Sequence, residues 1–475
     1  MPCAPMTAAP EAGVAAVAVD GPPSAEGIIG RLHSGQHAAA YGDALALMAR
    51  EPEHRSALSL LVRAAEHAER WDEAAEVIRA FRHRLDPGPC IHAMGNLALL
   101  AGDMDTARAH AGDLARIEGA LPLHRSLMLL VARREHALET LLARMRDRER
   151  HTGRCPFSWL LSRWEVQDRL GQQAEVLREA EAVERAIPEA QVRERGHVRL
   201  RRAAANHHAL RFAEGETLAL DVVAALGCDR IPMPPARVPR PWTRRRLDAV
   251  AAEIERLVLT QGLPVVFHAG TLLGLVRNGD FLPGDGDLDL AAVPPATSAD
   301  VAAALTATGA FRERREALDA GSFLSLFHVR TGMAVDVTEY RREGDRFVST
   351  WRHPSGTLLR QAAVPAFTVR LTDHAGIRRR VPLPDDPARQ LAATYGDWRV
   401  PDGGFDTLVG APNSVQATGF LRSIAAIRLA DAMLTGHHAK AGHLARWLHS
   451  QAVAPALMER ILDGLPRNDG LPRNE

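Results

Sequence analysis

The sequence predicts a multidomain protein with an all-α array of helices, then an α/β domain and a short helical extension. Three observations support this fold class. From about residue 27 to 228, leucine and alanine recur every three or four residues, the spacing of amphipathic helices. A stretch rich in proline and arginine follows at 229–246. After residue 247, short runs of β-branched and apolar residues alternate with helical segments, as in α/β domains.

The chain of 475 residues has a balanced charge, with 58 basic and 58 acidic side chains. No field of one sign would hold it on nucleic acid or on an anionic membrane, so we expect neither as a partner. Lys440 is the only lysine. A Walker phosphate loop and Schiff-base catalysis both need a lysine, and both are therefore excluded. A phosphate would instead be met by arginine, backbone amides, a helix N-terminus or a metal ion.

Both ends of the chain have the composition of unfolded segments. Residues 1–26 are rich in alanine and proline, and residues 465–475 belong to a direct repeat of DGLPRN, so we expect a disordered leader and a disordered tail. The leader lacks the pattern of a secretion signal, and no apolar run reaches the roughly 18 residues of a membrane span. The four cysteines are widely separated. This favours reduced thiols and a cytoplasmic location.

The helical region, residues 27–228, has an internal period of about 34 residues. Small residues follow this period at Ala40, Ala74, Ala107 and Ala174. Prolines follow it at Pro52, Pro87 and Pro122. The region resembles the tetratricopeptide repeat, in which a small residue lets two antiparallel helices approach and a proline ends the second helix. We expect this array to contact a protein partner or the polymer that the protein modifies.

The second half of the chain divides into three parts. Residues 229–246 contain five prolines and six arginines and are predicted to form an extended linker. Residues 247–406 are predicted to form the α/β domain, with strands at 265–267, 288–290, 323–327, 334–337 and 367–371 and a helix at 298–308. Residues 407–464 are the predicted helical extension, with helical spacing from about 419 to 464.

The most informative stretch is 267–290, which reads FHAGTLLGLVRNGDFLPGDGDLDL. Gly270, Thr271 and Gly274 stand where a strand is predicted to pass into a helix, and we expect backbone amides there to face a phosphate.

The same stretch ends in Asp285, Asp287 and Asp289, which occupy alternate positions. Alternate residues of a strand point to one face, so three carboxylates would crowd together. Their repulsion indicates a divalent cation, with magnesium as the first choice and manganese as the second. The alternative interpretation is a calcium-like or solvated acidic turn.

A fourth acid, Asp336, stands between Val335 and Val337 in a predicted strand. A buried charge at this position is costly without a partner. A nucleotidyltransferase fold would provide one, because it places two acids on one strand and a third on the neighbouring strand to hold magnesium. The alternative is a surface acid on an edge strand.

These motifs resemble the signature of the LicD and fukutin-related family of nucleotidyltransferase-fold enzymes. The matching segments are GTLLG at 270–274, Val276 and Arg277, FLP at 281–283, and the aspartate cluster at 285–290. The closing segment of the family is matched by VPLP at 381–384 and YGDW at 395–398. The resemblance covers about residues 245–406 and does not extend to the helical array.

The resemblance implies a phosphotransferase that moves a phospho-alcohol, such as phosphocholine or ribitol phosphate, from a CDP-activated donor to a hydroxyl of a glycan or lipid-linked glycan. It implies a metal site made by Asp285, Asp287, Asp289 and Asp336. In that scheme Asp336 either completes the metal site or accepts the proton of the acceptor. It also implies a phosphate-binding group made by Gly270, Thr271, Gly274 and Arg277.

Two rival functions stay open. One is transfer of a nucleoside monophosphate to a small molecule or protein, and the other is a non-catalytic repeat scaffold whose nucleotide-binding domain is inactive. The sequence departs from the family at Gly284 and Gly286, where tryptophan and aspartate are common, which leaves the identity of the donor open. Outside the signature, we interpret His207 and His208 as solvent-exposed or packing residues. Within it, we interpret YGDW as packing and a helix end.

Overall fold

The computed structural model describes residues 24–54, 56–153, 155–227, 244–282, 285–318, 321–415 and 418–465. Most of the predicted leader, linker and tail lies outside the described residues. Within the described part of the chain, no helix combines the length and the apolar character needed to cross a bilayer.

The first half of the chain is helical throughout its described residues, as the periodicity predicts. The α-helices are α1 Ala25–His33, α2 His37–Arg50, α3 Ala57–Ala68, α4 Trp71–Phe81, α5 Pro87–Ala101, α6 Met104–Arg116, α7 Leu121–Arg134, α8 Leu138–Thr152, α9 Phe157–Arg169, α10 Gln173–Ala186, α11 Val192–His208 and α12 Phe212–Leu226. Consecutive helices such as α2 and α3, α5 and α6, and α11 and α12 pack against each other. The array is therefore built from local helix pairs.

The residues that define the repeat agree only in part with the roles expected for them. Ala40, Ala74 and Ala107 are fully buried, as a close helix contact requires, whereas Ala174 is exposed. Pro87 and Pro122 lie in the first turn of α5 and of α7. Proline lacks an amide hydrogen and is tolerated in a first helical turn. Pro87 and Pro122 therefore begin helices, and the expectation that they end them is wrong, whereas Pro52 directly follows the C-cap of α2, as expected.

The second half begins with an α/β region. Its elements are α13 Arg244–Gln261, β1 Val265–Phe267, α14 Ala269–Asn278, β2 Asp287–Ala292, α15 Ser298–Ala307, β3 Phe311–Glu313, β4 Phe323–His328, β5 Ala334–Glu339, β6 Arg341–Glu343, β7 Arg346–Arg352, β8 Leu358–Pro365, β9 Val369–His374, β10 Arg379–Pro384 and α16 Pro387–Tyr395. Because α13 begins at Arg244, residues 244–246 of the predicted extended linker are helical. The strand predicted at 367–371 begins two residues later, at Val369.

A mixed five-stranded sheet forms the centre of this region, in the order β1-β2-β5-β4-β3. Strands β2 and β5 are parallel neighbours, whereas β1 with β2, β5 with β4, and β4 with β3 pair antiparallel. Leu288 and Leu290 of β2 are fully buried in the main core, which α13 and α14 complete. The alternate residues of β2 therefore face away from this core.

Two smaller sheets accompany the central one. Strands β6, β7 and β8 form an antiparallel sheet, and β9 pairs with β10. The sequence does not predict the first of these sheets, because its strands mix charged and apolar residues without a clear alternation.

The chain ends in three helices, α17 Gly419–Thr435, α18 His438–Ser450 and α19 Pro455–Gly464. Helix α17 packs against α11 and α12 of the array, and the C-terminal helices share a hydrophobic core with α12. The two helical regions therefore form one packed body, although the α/β region separates them in the sequence.

Direct contacts also seat the array on the central sheet. The Arg134 guanidinium donates to the carbonyl of Arg330 at 3.1 Å. The rings of His136 and Phe327 lie 4.3 Å apart. A side chain at Gly102 would collide with the Arg330 carbonyl, which would lie 2.1 Å from its Cβ. This close approach fixes the position of α5 next to the strand that ends at His328.

Candidate metal centre

Three carboxylates meet on neighbouring strands of the central sheet. Asp287 and Asp289 lie on β2, and Asp336 lies on β5 directly opposite Asp289 in the parallel register. One oxygen from each of the three lies within 4.8 Å of the others. The alternation of acids with buried leucines on β2 places Asp287 and Asp289 on the same face.

Hydrogen bonds from adjacent elements hold two of these acids. The backbone amide of Gly270 donates to Asp289 Oδ2 at 2.8 Å, and the backbone amide of Asp289 donates to Thr271 Oγ1 at 2.8 Å. On the other side, Ser325 Oγ on β4 donates to Asp336 Oδ1 at 2.6 Å. The acids are thus oriented before any ligand binds.

The electrostatics of the cluster oppose full ionisation without a cation. Burial raises the pKa of Asp336 to about 6, although the hydrogen bond from Ser325 acts in the opposite direction. Burial raises the pKa of Asp289 well above its usual value, and the charges of Asp287, Asp285 and Asp336 raise it further. Burial also raises the pKa of Asp287. A bound cation would favour the ionised forms of all these groups.

Asp285 lies beside the cluster and precedes β2 in the chain. Burial and the charge of Asp287 raise the pKa of Asp285 to about 7, and the two carboxyl groups share a hydrogen bond. The group of three mutually close ligand atoms does not include Asp285. Asp285 therefore borders the three acids through Asp287, and its role as a fourth metal ligand stays a prediction.

The residues predicted to cradle a phosphate have other contacts. The Gly270 amide is already engaged by Asp289, and Thr271 is buried. A Cβ on Gly274 would lie 2.6 Å from the backbone nitrogen of Leu282, so this glycine permits close packing of α14 on the following loop. The Gly270 amide is therefore not free for a phosphate in this structure. Arg277, by contrast, keeps its guanidinium at the edge of a cleft beside the acids.

Two clefts open on the acid cluster, and Asp287 lines both. The first, which we call the front cleft, has a volume of about 750 Å³. Its lining includes Asp285, Asp287, Asp289, Arg277, Tyr395 and Trp398. Residues 395–398 thus take part in the site, although Gly396 also caps α16 as the sequence predicts.

The second cleft, which we call the array cleft, lies between the central sheet, the array and α17, and has a volume of about 540 Å³. Asp287, Asp336, Ser325 and Arg314 line it from the α/β region. Asp168 and His208 line it from α9 and α11 of the array. The sequence gives no signal for this arrangement, because the residues are far apart along the chain.

The donor set fits a small divalent cation. Three carboxylates from two rigid strands supply hard oxygen ligands, which magnesium and manganese prefer. The charge of Arg314 lowers the pKa of Asp287 and Asp336, but burial outweighs it at both acids. Asp287, Asp289 and Asp336 would hold such an ion, and open coordination positions would face the two clefts.

The chain matches no model of a protein family, and no curated protein matches it.

Proposed function

We propose that this protein is a metal-dependent transferase that moves a phospho-alcohol group from a CDP-activated donor to a hydroxyl of a glycan or lipid-linked glycan. The observation that carries the proposal is the cluster of Asp287, Asp289 and Asp336, with two clefts that share Asp287. A two-substrate transfer needs room for a donor and for an acceptor beside one metal site, and the two clefts supply it.

A magnesium or manganese ion held by the three acids would neutralise the diphosphate charge and align the donor. The protein contributes the fixed geometry, since Gly270 and Ser325 orient the carboxylates through hydrogen bonds. Phosphoryl transfer depends mainly on such positioning and charge stabilisation.

The front cleft suits the donor. Arg277 offers a cation near the acids, and its Nη1 already donates to the carbonyl of Trp398 at 3.3 Å. Tyr395 and Trp398 add aromatic surface for a nucleobase. The cleft thus combines a site for the diphosphate with a flat apolar wall.

The proposed reaction is a direct displacement. The acceptor hydroxyl oxygen attacks the phosphorus that carries the alcohol, and the bond from this phosphorus to the bridging oxygen breaks. CMP leaves with the electron pair of that bond, and the hydroxyl proton passes to a base. The cytoplasmic location predicted from the sequence is part of this proposal.

The test is isothermal titration of the full-length protein with CDP-choline, CDP-ribitol, CDP-glycerol and plain nucleotides, in magnesium and in EDTA. Asp289→Asn removes one metal ligand while its side-chain oxygen can still accept from Gly270. Asp373→Asn is the matched control, because the Asp373 carboxylate on β9 is 90% exposed and lies outside both clefts.

We expect magnesium-dependent binding of one CDP conjugate that is lost in Asp289→Asn and kept in Asp373→Asn. Binding of a nucleoside triphosphate alone would favour the nucleotidyltransferase alternative. A folded protein that binds no compound of the panel would contradict the proposal and favour the scaffold.

A further inference from the structure

The array cleft places residues of the helical array next to the acid cluster. Asp336 and Asp287 line it on one side, and α9, α11 and α17 line it on the other. This wall is held in place by polar contacts. Arg169 at the end of α9 donates twice to the carbonyl of Arg315, at 2.9 and 2.6 Å. The array is therefore a fixed part of the cleft.

A histidine and an aspartate of the array face this cleft as a pair. His208 Nδ1 lies 2.6 Å from Asp168 Oδ2. The Asp168 residue is 7% exposed, and its other oxygen, Oδ1, is buried without a hydrogen-bond partner among the described residues. His208 is thus the side chain that this buried carboxylate orients.

The pair fixes the protonation pattern of the imidazole. An ionised carboxylate accepts a hydrogen bond, so a neutral His208 carries its proton on Nδ1 and leaves Nε2 as an acceptor. Within the described part of the chain, His208 Nε2 makes no hydrogen bond.

The lining of the cleft indicates the chemistry of its ligand. Four arginines and five carboxylates line it, so the charges nearly balance and a strongly anionic ligand gains little there. Trp351 and Phe323, whose rings lie 4.8 Å apart, add an aromatic surface. Balanced polar groups beside aromatic rings suit a neutral molecule with several hydroxyls, since each hydroxyl can both donate and accept.

We propose that the array cleft binds the polyhydroxylated acceptor and that His208, positioned by Asp168, accepts the proton of the attacking hydroxyl. This inference rests on the proposed transferase function. As the oxygen–phosphorus bond forms and CMP leaves, the hydroxyl proton moves to His208 Nε2 and then to solvent. Asp336 then serves as a metal ligand, and the helical array supplies a catalytic residue to the α/β domain.

The kinetic test compares His208→Gln and Asp168→Asn with the full-length wild-type protein. A matched control is His151→Gln, because His151 on α8 also pairs with an aspartate, Asp147 at 3.3 Å, and does not line the array cleft. Loss of a general base costs about 10²-fold or more in rate. We expect this fall in kcat for His208→Gln, a smaller fall for Asp168→Asn, and wild-type affinity of both variants for the CDP donor.

The inference is overturned if His208→Gln transfers at the wild-type rate, or if donor binding falls together with kcat. A second measurement does not depend on the donor. Histidine NMR signals of the wild-type protein are recorded while trisaccharides and linear polyols are added, and the His208 signal is assigned with His208→Gln. We expect that signal to move while the His151 signal stays fixed. No movement overturns the acceptor site, whereas movement without any donor binding contradicts only the donor chemistry of the proposed function.

Discussion

Replacement of Asp336 by asparagine is predicted to stabilise the metal-free protein. Burial raises the pKa of Asp336 from 3.8 to about 6. Each unit corresponds to about 1.4 kcal/mol, so the ionised carboxylate costs the folded state about 3 kcal/mol at pH 8. The asparagine side chain carries no charge, and its oxygen can still accept the hydrogen bond from Ser325. The variant should therefore gain stability close to that amount in EDTA.

The gain should depend on pH with a definite sign. A carboxyl group whose folded pKa is raised destabilises the folded state fully above that pKa, and the cost disappears as pH falls towards the unfolded pKa. The advantage of Asp336→Asn should thus be largest at pH 8 and fall to about half at pH 5. Magnesium at about 100 times its Kd should stabilise the wild type by about 2.7 kcal/mol and the variant far less. Magnesium should therefore remove the stability difference between Asp336→Asn and the wild type.

The assay is hydrogen exchange of the backbone amides of β2 and β5, measured by mass spectrometry in EDTA and in magnesium. It reports the local stability of the sheet that carries the acids. Asp373→Asn should behave as the wild type in every condition. Faster exchange in Asp336→Asn than in the wild type in EDTA, or equal protection of both by magnesium, would contradict this prediction.

Two further predictions concern Gly270 and Asp406. A Cβ at Gly270 would lie 3.2 Å from Asp289 Oδ2, so Gly270→Ala should disturb this metal ligand. We expect manganese binding to weaken by about 10-fold or more, measured by electron paramagnetic resonance. Unchanged manganese affinity would contradict this prediction. Asp406 is buried between Arg428 and Lys440, and these cations outweigh the effect of burial and lower its pKa. Asp406→Asn should cost about 3 kcal/mol in urea unfolding at pH 7. The cost should shrink below about pH 3.9, because protonation of the Asp406 carboxylate removes the stability that its ion pairs give the wild type. A cost independent of pH would show that charge is not its origin.

The acid cluster could be predicted from the sequence because its pattern is local. Alternate acids at 287 and 289, and a lone acid between valines at 336, indicate strands with one face turned away from the core. The parallel pairing of β2 and β5, with Asp289 opposite Asp336, then brings them together. The strand order itself follows from packing of the whole domain and has no local signal.

Other features depend on contacts between distant segments. His207 and His208 are adjacent, yet His207 is buried against Ser423 of α17 and His208 faces the array cleft. The interpretation of both histidines as packing or solvent-exposed residues therefore holds for His207. It does not predict that His208 lines the array cleft. The sequence likewise predicts that the Gly270 amide contacts a phosphate, because it does not show that this amide already donates to Asp289.

Product analysis tests most directly whether the acid cluster supports transfer of a phospho-alcohol group, as we propose. The full-length protein would be incubated with magnesium, the CDP conjugate that it binds, and a hydroxyl acceptor, and the products followed by ³¹P NMR. We expect the wild type and Asp373→Asn to release CMP and a phosphodiester of the acceptor in equal amounts. We expect Asp289→Asn to form neither product. Release of pyrophosphate from a nucleoside triphosphate, or turnover that survives in Asp289→Asn, would contradict it.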